Sequence, residues 1–281
     1  MTCFLTALLP AGTEALELCG KPAQGEILKG YAPGAEKILL DGREYMLSPS
    51  GNFLLAFGRD ETPEKKLTVI NAKGAAKDYS LNVAATKWDI QDIKGIPQKK
   101  VTPSAADQNE IGRERGDLKK ALADKLNKNY WEKGFVMPVK GRISGHFGGQ
   151  RIMNGRKMNP HQGTDIAAPE GTPVKAASNG IVRLSGGNYF YSGNTVVIDH
   201  GCGVKSYLFG LASIADIKTG DEVTAGQGLG VAGRKLIWEV RIGNKSVDPQ
   251  KLTQGGSNGL FYCRQLGAVI RDAAVEDFRE D

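Results

Sequence analysis

The sequence predicts a mainly β protein, and three observations carry that expectation. The chain holds 37 glycines with only 7% aromatic residues, a balance that suits tight turns and close backbone approaches better than a helical bundle. Two long stretches consist of short β-prone runs broken by glycine and proline. Between them lies one stretch with helical spacing. At 281 residues and 40% hydrophobic content, the chain has enough apolar material for two compact cores.

The first β stretch covers about residues 20–95. Its runs fall at 26–28, 37–40, 45–47, 53–57, 67–70 and 79–83, punctuated by Pro33-Gly34, Asp41-Gly42, Ser50-Gly51 and Lys73-Gly74. Such strands bury one face each and need a second sheet to cover it, so a small β-sandwich is expected. Residues 96–133 read as a linker and a helix: 96–104 hold two prolines and two adjacent lysines, and an amphipathic helix follows over about 106–130. Ile111, Leu118, Leu122 and Leu126 form its apolar stripe, and the expectation is that this stripe packs on one of the flanking domains rather than marking a partner surface. Strand signals return over 134–252, at 174–176, 181–184, 195–198, 206–209 and 236–242. The tail, 253–281, opens on Gly255-Gly256 and ends in an acidic, helical-looking segment with no assignable role.

The net charge of +6 is spread over lysine pairs such as Lys65-Lys66, Lys99-Lys100 and Lys119-Lys120. These read as solvated surface, and without aromatic interleaving they give no nucleic-acid motif. Cys3, Cys19, Cys202 and Cys263 have no C-x-x-C spacing, which excludes a zinc knuckle and a thioredoxin-type pair. Residues 1–19 begin with an uncharged apolar run. It reads either as a secretory signal lacking its basic start or as a packed or disordered tail, and Leu16-Glu17-Leu18-Cys19 is only a faint lipoprotein box. No apolar run reaches the ~20 residues of a membrane helix, so no stable membrane span is expected.

The chemistry concentrates in the second β stretch. Gly141-Arg142-Ile143-Ser144-Gly145-His146-Phe147-Gly148 is followed by Arg151, then His161-x-Gly163-x-Asp165-Ile166-Ala167-Ala168-Pro169-x-Gly171-Thr172-Pro173-Val174. Gly193-Asn194-Thr195 through Asp199-His200-Gly201, Lys218-x-Gly220-Asp221-x-Val223, Trp238-Glu239-Val240-Arg241 and Val247-Asp248-Pro249 come after, in that order. The series resembles the lysostaphin/LytM-type zinc metallopeptidases, whose domains cut peptide cross-links of bacterial peptidoglycan. The resemblance extends over most of residues 20–252. It implies an antiparallel LytM-type domain over 134–252 and a periplasmic or secreted location. It maps the zinc-binding His and Asp onto His161 and Asp165, one imidazole nitrogen and one carboxylate, both suited to zinc.

The remaining functional positions of the family do not carry over. Its mid-domain histidine aligns with Gly210 in Ser206-Tyr207-Leu208-Phe209-Gly210-Leu211, and its final His-x-His aligns with Lys235 and Ile237, with the preceding loop shortened. A catalytic zinc takes about three protein ligands and one open position for water. Two ligands leave zinc poorly held, a side chain at Ile237 cannot ligate, and a protonated Lys235 repels a cation. No catalytic residue is therefore intact and no cofactor is expected; zinc, if held at all, is held at His161 and Asp165. Without metal those two are expected to form a His–carboxylate hydrogen bond on the groove floor. Glu239 is the one candidate for a substitute ligand, His146 lies in the entry strand and is not expected to serve, and His200 reads as a structural hydrogen-bonding group at a strand end.

The resemblance then implies a degenerate, non-catalytic domain that binds a peptidoglycan peptide or regulates a cell-wall hydrolase, since some degenerate members activate cell-wall amidases. Whether the chain is an enzyme stays open at this point. One alternative is an active zinc endopeptidase with rearranged ligands. Another comes from Lys218-Thr219-Gly220-Asp221-Glu222-Val223, similar to the half-motif of biotinyl and lipoyl carriers, although no lysine stands at a clear hairpin tip.

Overall fold

The computed structural model describes residues 16–123 and 126–253. The signal-like start, Cys3, Cys263 and the expected tail helix lie outside the described residues. Eight strands come first: β1 (Glu17–Cys19), β2 (Ile27–Tyr31), β3 (Ala35–Leu40), β4 (Arg43–Tyr45), β5 (Asn52–Ala56), β6 (Glu64–Asn71), β7 (Ala76–Asn82) and β8 (Ile90–Ile93). The first seven build two antiparallel sheets, β1-β2-β5 and β4-β3-β6-β7. Tyr79 and Leu81 of β7 are buried while their neighbours are exposed, the alternation expected of a strand with one wet face.

A short helix, α1 (Gln98–Val101), and the longer α2 (Asp107–Ala123) follow. Ser104 and Asp107 cap α2 reciprocally, with the Asp107 amide donating to Ser104 Oγ at 3.3 Å and the Ser104 amide to Asp107 Oδ2 at 2.9 Å. The helix is shorter than its sequence pattern suggests. Beyond it, Asn127 and Asn129 favour non-helical backbone, and residues 126–130 run beside a strand turn instead. There the Cys202 amide donates to the Leu126 carbonyl and the Tyr130 amide to that of His200, each at 2.9 Å. The region read as a linker is also pinned, because Asn154 exchanges two hydrogen bonds with the backbone of Ile96.

The remaining strands are β9 (Arg142–Gly145), β10 (Gln150–Met153), β11 (Arg156–Lys157), β12 (Thr164–Ala167), β13 (Pro173–Lys175), β14 (Gly180–Tyr189), β15 (Gly193–Gly201), β16 (Val204–Ile214), β17 (Glu222–Val223), β18 (Gly228–Ile242) and β19 (Lys245–Val247). They form a nine-stranded sheet ordered β17-β14-β15-β16-β18-β12-β9, with β13 and β19 also paired to β18. The β10-β11 hairpin stands apart and pairs in parallel with β8.

The composition suggests two cores, but the buried side chains of both regions join in one cluster running from Leu18 to Leu252. Polar contacts cross the same boundary. Glu132 accepts from Ser48, Ser50 and Asn52, Lys245 pairs with Glu61 at 2.5 Å, and Arg59 Nε donates to the Gly148 carbonyl at 2.6 Å. A continuous apolar core with this hydrogen bonding at its rim resists hinge motion more than a polar domain interface would.

Candidate functional site

Three strands lay one row of side chains across the large sheet. Asp165 of β12 pairs with Ile237 of β18, and Ile237 pairs with Phe209 of β16. Directly opposed residues point to the same face, so Asp165, Ile237 and Phe209 share a surface. The next row, Glu239 with Tyr207 and Val197, lies on that surface too. Helix α2 covers this second row, with Ala121 buried against Val197 and Tyr207 and with Leu118 and Leu122 beside it. Leu118 and Leu122 of the expected stripe thus pack on the C-terminal sheet, whereas Leu126 lies beyond the helix, and α2 flanks the face that carries Asp165.

Asp165 is buried and surrounded. His161 Nε2 lies 2.8 Å from its Oδ1, while the Arg151 guanidinium approaches Oδ2 to 2.6 Å and the Lys235 ammonium to 3.2 Å. Burial alone would raise the carboxyl pKa, but His161, Arg151 and Lys235 outweigh it and hold the group down at about 2. The expected His–carboxylate hydrogen bond is not formed in full. The two atoms are close, yet off the hydrogen-bonding direction, and both Nε2 and Oδ1 remain without a hydrogen-bond partner. At Gly145, across β9 from Asp165, a Cβ would come within 2.6 Å of Oδ2, so glycine is what lets the carboxylate lie there.

Two orphaned donor atoms facing each other suit the start of a metal site, but the rest of the donor set does not fit zinc. Among the described residues no group of three or more His, Cys, Asp or Glu side chains comes together. Ile237 stands at the ladder position opposite Asp165, and two cations already contact Oδ2. Glu239 is no substitute, since its Oε1 accepts from Arg241 at 2.6 Å and from Ser246 at 2.9 Å. His146 is exposed.

The backbone around the two remaining positions explains their side chains. Between Phe209 and Leu211 the β16–β18 register jumps, so residues 233–236 of β18 oppose the single residue Gly210. Gly210 has φ +82°, and a Cβ there would lie 2.5 Å from the Lys235 carbonyl oxygen. The bulge therefore needs glycine, and it is from this bulge that Lys235 reaches Asp165. Where the resemblance suggests a shortened loop, β18 runs unbroken from Gly228 to Ile242.

His200 is fully buried, with Nδ1 2.6 Å from the Asn179 carbonyl oxygen and Nε2 2.6 Å from Ser206 Oγ. A carbonyl only accepts, so Nδ1 carries the proton and Nε2 receives that of the serine. Burial lowers the ring pKa to about 4, against smaller opposing effects from Asn179 and Asp199. The ring also meets Phe135 edge-on at 4.9 Å, a structural role at the strand end. Lys218 lies exposed in a turn, its amide bonded to Asp221 Oδ2, and Glu222–Val223 pairs with β14, so the carrier-like lysine does not stand at a hairpin tip.

Sequence reasoning gave no role to Arg151 or Glu114. Glu114, buried on α2, accepts from the Tyr191 amide at 2.9 Å, the Ser192 amide at 3.1 Å and Ser192 Oγ at 2.7 Å, fixing the β14–β15 turn. That turn in turn takes the Gly210 amide on the Ser192 carbonyl. A cleft of about 400 Å³ opens between α2, Tyr191 and the β10-β11 hairpin, and its charged lining is Arg115, Arg156 and Lys157. A second, of about 420 Å³, lies between His161, Arg241 and the N-terminal Arg59 and Glu61.

Residues 159–249 match the family model of Peptidase family M23. The chain carries a peptidase M23 domain. Over 125 residues it is 39% identical to the peptidoglycan DD-endopeptidase ShyA of Vibrio cholerae, a match covering 42% of this chain and 29% of ShyA. A lipoprotein NlpD/LppB homologue of Pseudomonas aeruginosa is 31% identical over 124 residues, 41% of this chain and 38% of that protein. The chain thus spans well under two thirds of these relatives' lengths. A crystal structure of a putative peptidase M23 from Pseudomonas aeruginosa superposes with a TM-score of 0.62 at 25% identity, covering 86% of this chain and 97% of that one. The mainly β, antiparallel fold expected from the sequence and the family resemblance both stand, and the M23 domain lies within the second β stretch.

Proposed function

We propose that this M23 domain is non-catalytic and works outside the cytoplasm by binding a peptidoglycan peptide or a cell-wall hydrolase along the face that carries Asp165. One observation carries the reading: Asp165 has its charge balanced by Arg151 and Lys235, with Ile237 at the opposing ladder position. Zinc hydrolysis needs a metal to lower the pKa of its bound water, and this cation cluster opposes a second positive charge at that place. The face that carries Asp165 is built from paired strands, the bulge over Gly210 and the flanking α2. Similarity to a relative named as a peptidoglycan DD-endopeptidase supports peptidoglycan as the material bound.

A zinc endopeptidase with rearranged ligands is the second reading, favoured by the unpartnered His161 Nε2 and Asp165 Oδ1. It needs a third donor, and Glu239, the nearest candidate on the strand, is engaged by Arg241 and Ser246. Incubating the full chain with purified sacculi separates the two. The proposal expects co-sedimentation with no soluble muropeptide released; release of cleaved cross-links, abolished by His161→Ala, would overturn it.

A further inference from the structure

We propose that Lys235 and Arg151 form a seat for the free carboxylate of a bound peptide, an inference that rests on the groove being a binding site. With Asp165 neutralised, the cluster keeps an excess positive charge, because one carboxylate faces two cations. The hydrogen-bond count is unbalanced as well. Both cations converge on Oδ2, yet an ammonium has three N–H donors and a guanidinium five. Arg151 Nε is buried with no hydrogen-bond partner. Lys235, by contrast, is about half exposed, at 48%, which leaves its ammonium open to solvent beside Asp165. A cation pair with surplus donors and a net positive charge recruits an anion, and planar carboxylates suit the guanidinium fork.

The surroundings favour a peptide acid over a simple inorganic anion. Beside the seat, the half-buried Ile237 and Phe209 offer apolar floor for a small aliphatic side chain next to the carboxylate. The neighbouring cleft is joined to Arg151 by the Met158 amide, which donates to the Arg151 carbonyl at 2.9 Å. Its lining carries Arg115, Arg156 and Lys157 with no acidic residue, a field that draws anionic ligands toward this end of the face.

The test titrates the full chain with acetyl-alanyl-alanine as the free acid, with its C-terminal amide, and with inorganic phosphate. One charge-assisted contact corresponds to about tenfold in affinity, so the acid is expected to bind about tenfold more tightly than the amide and more tightly than phosphate. Lys235→Gln is expected to remove that preference and Lys235→Arg to keep it. Equal binding of acid and amide, no detectable binding of either, tighter binding of phosphate, or an acid preference that survives Lys235→Gln would each overturn the seat. Failure here with continued sedimentation on sacculi would leave the binding role standing, so the two readings fall separately.

Discussion

Ile237 stands directly opposite Asp165 in the antiparallel pairing of β18 with β12. An apolar side chain therefore fills the ladder position from which a second strand would present a ligand beside the carboxylate. Two residues earlier, Lys235 leaves the bulge formed over Gly210 and brings its ammonium to the same carboxylate. Strand register, more than composition, gives this face its chemistry.

Asp165→Ala is expected to be costly and Lys235→Ala mild. Removing Asp165 strands Arg151, whose side chain is only 12% exposed, and breaking a buried pair from one side costs about 3–5 kcal/mol. Lys235 is half exposed, so its loss costs about 1 kcal/mol or less. Chemical denaturation of both variants checks this; equal costs would contradict it.

Gly210 is expected to reject any side chain, including the histidine its family alignment would supply. With φ +82° and the Lys235 carbonyl 2.5 Å from a built Cβ, Gly210→Ala is expected to lose about 2 kcal/mol or more. Thermal unfolding reads the loss, and a neutral variant would mean that the bulge is softer than its geometry.

Stability is expected to fall as pH drops from about 6.5 towards 4. His200 is neutral in the fold with its pKa lowered to about 4, whereas the unfolded chain takes up the proton near 6.5. Over that window the unfolded state binds more protons, so stability is complete above 6.5 and is lost on acidification, by about 3 kcal/mol from this group. Denaturation midpoints at several pH values check it, with His200→Asn expected to flatten the slope; identical slopes in both proteins would contradict the assignment.

Glu114→Ala is expected to loosen the β14–β15 turn. It leaves the amides of the exposed Tyr191 and the half-buried Ser192 without their acceptor, at about 1 kcal/mol for each hydrogen bond lost. Hydrogen exchange at those two amides should accelerate while β16 stays protected. Unchanged exchange would show that water or another acceptor replaces the carboxylate.

Much of the fold is legible because alternation and turn residues mark strands locally: β3, β14 and β15 contain the runs that suggest them, and β5 and β7 match theirs to within one residue. β8 and β10 are not, because Ile90-Gln91-Asp92-Ile93 carries no clean alternation and its pairing is made by the backbone with a strand far along the chain. His161 and Asp165 were legible through their motif spacing. Arg151 was not assigned, since a guanidinium in a hairpin gives no local sign of which carboxylate it will meet. The unity of the core escaped composition for the same reason: nothing in 40% hydrophobic content says that Leu18 and Leu252 belong to one cluster.

On the proposed function, Arg151 and Lys235, and not a metal, balance Asp165. Zinc content of the full chain, purified after equilibration with excess zinc and desalted, tests it most directly. Far less than one zinc per chain is expected, unchanged in His161→Ala. Near one zinc per chain, lost in His161→Ala together with cross-link cleavage, would contradict it.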